Sequence, residues 1–349
     1  MKESHLPSYL LCLLIVGSVG ACRSSSETQP NLAPTSSLTT TRTISLPEIR
    51  EAYSSAASQF VDLEGTELHY QASGNGPTLL LIHGTLGDVR DWDEWAAILD
   101  DHYRVVRLDL PGFGLSSGIP NDNYSIDRTL ATIDALMDHL DEPSFAIVGI
   151  SYGGIVAFRY AATRVDRVSA LVLMNSAGIQ TGKRPAKAKK TPSVNTPKAK
   201  NIFVDANVFE EDVNEFYRAY INDPVRRDRE FVQRKLDFLN VVGRDMQAQK
   251  SLRLYERGNP TQVLSHVRAP SLVIWGGGNK ALDTTTALAF KNALSNACFT
   301  RLVTFPKGGH YINVELPRET AAAGQLFFEE VANAYDNNSC GHLRVSFKP

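Results

Sequence analysis

Residues 143–163 read PSFAIVGISYGGIVAFRYAAT, and this stretch decides the fold. The apolar run at 145–148 is typical of a parallel strand that is covered on both faces. From residue 155 onward, apolar residues recur at helical spacing. Between strand and helix, residues 149–153 read GISYG, a G-x-S-x-G sequence. This order predicts a sharp turn that raises the Ser151 hydroxyl above the sheet as a nucleophile; a tight turn without chemistry is the alternative interpretation.

The same alternation of strand and helix extends on both sides of this turn. Mainly apolar runs predict buried strands at 78–82, 103–108, 168–174 and 271–275. Strands that alternate with helices pair in parallel through right-handed crossovers. Ligands then bind beyond the carboxyl ends of the strands. The loops that begin at His83 and Asp109 follow two of these strands, so we expect them to meet Ser151 at that edge.

The composition indicates a folded protein without a strong electrostatic preference. Of the 349 residues, 43% are hydrophobic and 21% are charged, and the formal net charge is −2. This balance gives no bias toward nucleic acid, so no nucleic-acid partner is expected. The length allows one large α/β domain with an insertion, or two ordinary domains. Nothing has the spacing of a metal site, and neither a metal ion nor an organic cofactor is implied.

The N-terminus is predicted to be an export signal. Its apolar stretch, residues 6–19, is shorter than the roughly 20 residues that a membrane-spanning helix needs. Residues 19–22 read VGAC, which resembles the lipobox of bacterial lipoproteins. By that resemblance 1–21 is a signal peptide and Cys22 is the lipid-attachment residue; a plain cleaved signal with an incidental cysteine is the alternative. Lipidation implies an exported protein anchored to a membrane, on the periplasmic side or at the cell surface.

Composition divides the remaining chain into three parts. Residues 22–47 are rich in Ser, Thr and Pro without apolar periodicity, so we predict a flexible linker after the lipidated cysteine. Residues 48–178 and 265–349 form the predicted α/β core. Residues 179–264 begin with a basic, proline-containing run and continue as amphipathic helices, which predicts a helical cap inserted into the core.

Cys298 and Cys340 lie outside the signal and the lipobox. An exported location would permit them to form a disulfide bond. Two unrelated free thiols are the alternative, and the sequence leaves both interpretations open.

Together these motifs resemble those of the α/β-hydrolase superfamily, among its serine hydrolases that carry a helical cap. The matching pieces, in family order, are 83–84 (HG), 109–114 (DLPGFG), 149–153 (GISYG), 272–276 (LVIWG) and 309–310 (GH). The resemblance covers most of 60–178 and 265–335 and leaves the cap and the C-terminal tail uncovered. It implies an α/β-hydrolase fold, a mostly parallel sheet with helices on both faces and an inserted helical cap.

The chemistry of this family assigns roles to five residues. Ser151 is a poor nucleophile alone and needs a base within hydrogen-bond reach. His310 is the candidate, because an imidazole can take the proton and return it to the leaving group; a surface loop histidine is the alternative. The backbone N–H groups of Tyr152 and, by resemblance, Thr85 are the expected oxyanion donors. His83 is expected to order its own loop rather than transfer protons.

In this family the serine and the histidine form a catalytic triad with an acid. The residue in the acid position departs from the family pattern. The slot that usually carries the acid, after the strand that ends Trp-Gly, holds Asn279. An amide can orient an imidazole but cannot stabilise imidazolium as a carboxylate does. Asp283 lies four residues further on, and we favour it over Asn279 as the third catalytic residue, although it also suits a helix N-cap. The slot after the preceding strand, used by some relatives, holds Asn175.

The sequence therefore predicts a serine hydrolase that cleaves a small or medium carboxylic ester through an acyl-enzyme on Ser151. A peptidase or another acyl transfer on the same scaffold is one alternative. A ligand-binding lipoprotein with a degraded triad is another. Epoxide and haloalkane hydrolases are disfavoured, because those relatives place an aspartate where Ser151 stands. The expected partners are a small-molecule acyl substrate and, through the lipid anchor, a membrane.

Overall fold

The computed structural model describes residues 44–179, 181, 202, 208–244, 258–340 and 347. The predicted signal peptide, the lipid-attachment residue Cys22 and most of the predicted linker lie outside these residues. So do 182–201, 203–207 and 245–257 of the predicted cap. Within the described residues, no helix is both long and apolar enough to cross a membrane.

An eight-stranded, mostly parallel sheet forms the centre of the described chain. Its strands are β1 (Gln59–Leu63), β2 (Thr66–Ser73), β3 (Thr78–Ile82), β4 (Arg104–Leu108), β5 (Phe145–Ile150), β6 (Val168–Met174), β7 (Ser271–Gly276) and β8 (Thr300–Phe305). Their order across the sheet is β1-β2-β4-β3-β5-β6-β7-β8. The β1–β2 and β2–β4 pairs are antiparallel, and the pairs from β4 to β8 are parallel. The predicted fold class is confirmed.

Helices connect the strands. They are α1 (Leu46–Tyr53), α2 (Asp93–Leu99), α3 (Ile126–His139), α4 (Tyr152–Thr163), α5 (Glu210–Arg218), α6 (Arg229–Leu239), α7 (Pro260–Leu264), α8 (Thr284–Ala293), α9 (Ile312–Glu315) and α10 (Pro317–Asp336). Short 3₁₀ turns occur at Val89–Trp92, Pro120–Asp122 and Pro224–Arg227. Helix α3 begins where the side chain of Ser125 accepts the N–H of Arg128, a typical N-cap.

Both faces of the sheet are covered, which is why its central strands are apolar throughout. Every residue of β3 and β5 is buried. Helices α3, α4 and α8 pack on one face, around Ile133, Phe158 and Phe290. Helices α2 and α10 pack on the other face, around Trp95 and Phe328, together with the segment that leads into α2. Alternate residues of one strand enter the two cores, as the two-residue period of a strand requires.

Two of the predicted segment boundaries differ from what the described residues show. The linker was predicted to extend to residue 47, but Ile44 pairs with Val241 and α1 begins at Leu46. The sequence around Ser45 explains this, because Ser45 and Glu48 form a reciprocal capping box. The cap was predicted to reach residue 264, but Leu264 of α7 is buried in the core that surrounds α4. Helices α5 and α6 contribute to another apolar cluster, which also includes Tyr311 of the loop after β8.

Cys298 and Cys340 form a disulfide, with their Cα atoms 5.7 Å apart. The bond joins the segment before β8 to the chain after α10 across a sequence separation of 42 residues. Of the two interpretations that the sequence left open, pairing is the one confirmed.

Candidate active site

Ser151 lies on a strained turn between β5 and α4. Its backbone has φ 52° and ψ −116°, which residues other than glycine rarely adopt. A Cβ on Gly149 would lie 2.2 Å from the carbonyl oxygen of Gly153, and a Cβ on Gly153 would lie 2.4 Å from that of His83. Both positions therefore need glycine, since the strand and the helix approach too closely for a side chain. The predicted turn is confirmed, and it presents Ser151 at the carboxyl edge of the sheet.

His310 is the hydrogen-bond partner of this serine. It lies in the loop after β8, and its Nε2 is 2.9 Å from the Oγ of Ser151. The two residues are 3% and 4% exposed, so the pair is shielded from bulk water. The structure thus brings together the two residues that were predicted as base and nucleophile, although 159 positions separate them in the chain.

Asn175 fixes the loop that carries the histidine. It follows β6 with a positive φ of 40° and is fully buried. Its Nδ2 donates to the carbonyl oxygens of Gly309 and His310, at 2.9 and 2.8 Å. Its Oδ1 accepts the N–H of Gly276 at 2.9 Å. Sequence reasoning considered this position only as an empty acid slot; its actual role is to join the ends of β6 and β7 to the histidine loop.

Residues of the predicted cap also contact the histidine loop. The N–H of His310 donates to the carbonyl oxygen of Tyr220 at 2.7 Å, and the two rings lie 5.3 Å apart. Glu315 accepts the N–H of Gly309 at 2.6 Å and the N–H of Asp223 at 2.8 Å. The position of His310, the candidate base, therefore depends on Tyr220 and on the Glu315–Asp223 contact, which the sequence motifs did not reveal.

Burial sets the protonation state of the candidate base. It lowers the pKa of His310 to about 4, because the charged imidazolium loses its hydration. The Nδ1 atom is buried and has no hydrogen-bond partner among the described residues. The imidazole is therefore neutral near pH 7, the state that a general base needs. Among the described residues, therefore, no carboxylate bonded to Nδ1 fixes the tautomer or would stabilise an imidazolium formed during catalysis.

Neither predicted third residue makes a hydrogen bond to His310. Asp283 is exposed and caps α8, where its carboxylate accepts the N–H groups of Thr285 and Thr286. The hydrogen bond from the Thr285 hydroxyl is the main reason that the pKa of Asp283 is lowered. The preference for Asp283 as the third catalytic residue is therefore corrected, because helix capping occupies its carboxylate in the exposed first turn.

Asn279 is the better placed of the two candidates. It is buried in the loop after β7, and its Oδ1 accepts the N–H groups of Ala281 and Leu282 at 3.0 and 3.1 Å. Its Nδ2 is buried without a partner among the described residues. The neighbouring Gly278 donates its N–H to Gly308 at 3.0 Å, so this loop lies against the histidine loop. An amide therefore occupies the slot in which the family usually carries the acid, in a loop that contacts the histidine loop.

The predicted oxyanion loop lies beside the nucleophile. A Cβ on Gly84 would be only 3.2 Å from the Cβ of Ser151, so the backbone that leads to Thr85 passes close to the reacting hydroxyl. His83 orders this loop, as predicted: its Nδ1 is 2.7 Å from the carbonyl oxygen of Gly84, and its Nε2 accepts the N–H of Leu110 at 3.0 Å. The other predicted donor, Tyr152, opens α4 directly after Ser151. Donors at these two positions would face the same oxygen of a bound acyl group.

A buried group of charges fixes the cap to the loop after β3. Lys235 of α6 donates to Asp88 and to Asp91, at 2.7 Å each, and Arg234 lies 3.3 Å from both carboxylates. Burial alone would raise the pKa of Asp88, but Arg234 and Lys235 outweigh it and hold that pKa below its usual value. Buried charges are stable only when they are paired. Helix α6 is therefore bound tightly to the segment that carries Thr85.

Known proteins share this fold and sequence pattern. The family model of the alpha/beta hydrolase fold matches residues 77–317. The chain is 28% identical, over 276 residues, to a 2-hydroxy-6-oxononadienedioate/2-hydroxy-6-oxononatrienedioate hydrolase of Burkholderia vietnamiensis (strain G4 / LMG 22486); the match covers 75% of this chain and 92% of that protein.

Two solved structures are also similar. A membrane phospholipase A, described as a novel bacterial virulence factor, matches with a TM-score of 0.67 and 26% identity over 79% of this chain and 87% of that one. A meta-cleavage product hydrolase from Pseudomonas fluorescens IP01 matches with a TM-score of 0.65 over 78% of this chain and 97% of that one. The identity to the second is 20%, so that likeness concerns the fold alone.

Proposed function

Since the chain belongs to the alpha/beta hydrolase fold family, we propose that it is a serine hydrolase that cleaves small or medium carboxylic esters through an acyl-enzyme on Ser151. The observation that carries the proposal is the 2.9 Å contact between Ser151 Oγ and His310 Nε2 on a strained strand-to-helix turn. Backbone strain of this kind clusters at active sites, so the turn supports a reactive role for the Ser151 hydroxyl.

The reaction proceeds in two halves. His310 Nε2 takes the Ser151 proton while Oγ attacks the ester carbonyl, and the N–H groups of Thr85 and Tyr152 stabilise the oxyanion. The bond to the alkoxide then breaks, the alkoxide takes the proton from His310, and the acyl group remains on Ser151. Water, deprotonated by the same imidazole, releases the carboxylic acid and restores the serine.

The incomplete triad favours esters over amides. An amide nitrogen must be protonated as it leaves, which requires an imidazolium that is well stabilised. The alkoxide or phenoxide of an alcohol or phenol with a low pKa leaves with less help. His310 lacks a carboxylate partner among the described residues. A peptidase would lose most from that absence, so ester hydrolysis is the activity that this site supports best.

A second candidate follows from the curated relative. It is named for hydrolysis of a 2-hydroxy-6-oxo dienedioate. Such a compound contains no ester or amide, so its hydrolysis must break a carbon–carbon bond. The 28% identity over most of both chains makes this activity the specific rival to ester cleavage.

A substrate panel tests the two candidates. We expect the purified protein to turn over p-nitrophenyl acetate and butyrate faster than the decanoate, as the proposed preference for small or medium acyl groups requires. A 2-hydroxy-6-oxo dienoate, followed by loss of its ultraviolet absorbance, should be stable. Turnover of the dienoate without ester turnover would establish the second candidate, and turnover of neither would favour a protein that only binds its ligand.

We also propose that the protein is exported and anchored to a membrane through lipid on Cys22. The sequence at residues 19–22 and the disulfide between Cys298 and Cys340 support this, because disulfides persist in oxidising compartments. In bacteria that express the full chain, Cys22→Ser should shift the protein from the membrane pellet to the soluble fraction. Cys12→Ser, inside the signal, is the matched control and should remain in the pellet. Unchanged pelleting of Cys22→Ser would exclude the lipid anchor.

A further inference from the structure

A second serine–histidine contact lies away from Ser151, at the β1–β2 side of the sheet. The Nε2 of His69, on β2, is 2.9 Å from the Oγ of Ser58, which lies just before β1. The Nδ1 of the same ring is 2.7 Å from Oδ2 of Asp109, which follows β4. Serine, imidazole and carboxylate are thus linked in the order that activates a serine hydroxyl.

The hydrogen bonds around Asp109 decide which way the protons point. Its Oδ1 accepts the N–H of Val89 at 2.8 Å, and its Oδ2 accepts the N–H of Leu115 at 2.7 Å. A carboxylate that accepts these bonds acts as an acceptor toward His69 as well, so Nδ1 carries the ring proton. In the neutral imidazole, Nε2 then accepts and the Ser58 hydroxyl donates to it.

The remaining contact of Ser58 is consistent with this assignment. The N–H of Ser55 donates to Ser58 Oγ at 3.0 Å, which fills one lone pair and leaves the hydroxyl proton for His69. His310 at the main site has no such carboxylate among the described residues. The complete arrangement is therefore at Ser58, and the incomplete one is at Ser151.

The site combines a shielded base with an accessible hydroxyl. His69 is 1% exposed and Asp109 is fully buried, and Phe60, the cross-strand partner of His69, lies with its ring 5.0 Å from the imidazole. Ser58 itself is half-buried, and the residues on either side of it in the chain are exposed. A small reagent can reach the oxygen while water is kept from the ion pair that would form behind it.

We infer that Ser58, His69 and Asp109 form a second acyl-accepting site, which takes small activated esters or phosphonyl donors onto Ser58. Oγ attacks the carbonyl carbon as its proton moves to His69 Nε2. The bond to the leaving oxygen then breaks, that oxygen takes the proton from His69, and an ester on Ser58 results. With a fluorophosphonate, the new bond is P–O, fluoride leaves, and the proton passes to solvent.

Covalent labelling of the Ser151→Ala protein separates this site from the main one. We expect the full chain with Ser151→Ala to gain the mass of one phosphonate, located by peptide mapping on Ser58. Ser151→Ala with Ser58→Ala should gain none, whereas Ser151→Ala with Ser54→Ala, at an exposed serine of the same segment, should label normally. In the Ser151→Ala background, His69→Gln should slow labelling about 10²-fold or more, since glutamine can bond to Asp109 but has no basic nitrogen.

Circular dichroism establishes that each variant is folded. If His69→Gln does not fold, the comparison of Ser58→Ala with Ser54→Ala still decides the question. A folded Ser151→Ala protein that gains no mass, or one whose label persists in the Ser58→Ala double variant, would overturn the inference. Labelling of Ser151 in the wild type is scored on a different peptide, so failure of the proposed ester hydrolase and failure of this second site are distinguishable.

Discussion

Alanine in place of Ser151 is expected to lower kcat/KM for an activated ester by about 10²-fold. The modest size of this effect follows from the missing carboxylate. In a serine protease with a complete triad, loss of the serine costs about 2 × 10⁶ in kcat and loss of the aspartate alone about 3 × 10⁴. The ratio of these two losses is about 10², which is the rate enhancement that a serine–histidine pair still provides without the acid. Initial rates with p-nitrophenyl butyrate measure it directly.

The control for this substitution is another serine that does not contact His310. Ser265→Ala is suitable, because the hydroxyl of Ser265 donates only to the carbonyl oxygen of Gln262 at 2.8 Å, beside α7. We expect that variant to keep the wild-type rate and the wild-type melting temperature. If Ser151→Ala were as active as the wild type, the hydrolysis would arise elsewhere, and Ser58 would be the first residue to examine.

The sequence predicted what depends on local contacts. The turn at 149–153 could be predicted because each glycine is required by atoms of the adjoining strand and helix, and such requirements recur at fixed spacing. The buried strands could be predicted because a strand that is covered on both faces is apolar along its length. His83 was understood for the same reason, since it bonds to its own loop and to the next.

What the sequence did not predict depends on contacts between distant segments. Lys235 and Asp88 are 147 positions apart. In the sequence of a charged amphipathic helix, a lysine that will be buried looks the same as one that will be exposed. Ser58, His69 and Asp109 come together only because β1, β2 and β4 are neighbours in the sheet. The choice of Asp283 was wrong because chain proximity to the acid slot cannot show which way a carboxylate faces.

Aspartate in place of Asn279 is expected to raise kcat/KM for the same ester by about 10⁴-fold, the reverse of the loss seen when a protease triad loses its aspartate. One carboxylate oxygen would keep the bonds from Ala281 and Leu282, and the other would replace the unpartnered Nδ2. We expect the new carboxylate to accept the Nδ1 proton of His310, because Asn279 Nδ2 and His310 Nδ1 are both buried without partners among the described residues and their loops are in contact. Nε2 is then left to take the proton of Ser151. The imidazolium that forms would then have a counter-charge.

The pH profile tests whether this gain comes from His310 itself. Burial places the pKa of His310 at about 4, so activity in the wild type should fall only near that pH, as the base is protonated. A new carboxylate stabilises the charged ring, so Asn279→Asp should raise the pKa and move the acid limb to higher pH. An equal rise in rate without that movement would mean that the aspartate acts elsewhere.

Asn175→Asp is the matched control, because it places the same change in the other candidate slot. There the new carboxylate would face the carbonyl oxygens of Gly309 and His310, which the Asn175 amide now satisfies, so repulsion should displace the histidine loop and reduce activity. A gain from Asn279→Asp together with a loss from Asn175→Asp would identify residue 279 as the third position.

With Asn279→Asp present, the cost of Ser151→Ala should grow to about 10⁶-fold, because the serine and the histidine then act within a complete triad. A cost that stays near 10²-fold in that background would contradict the assignment.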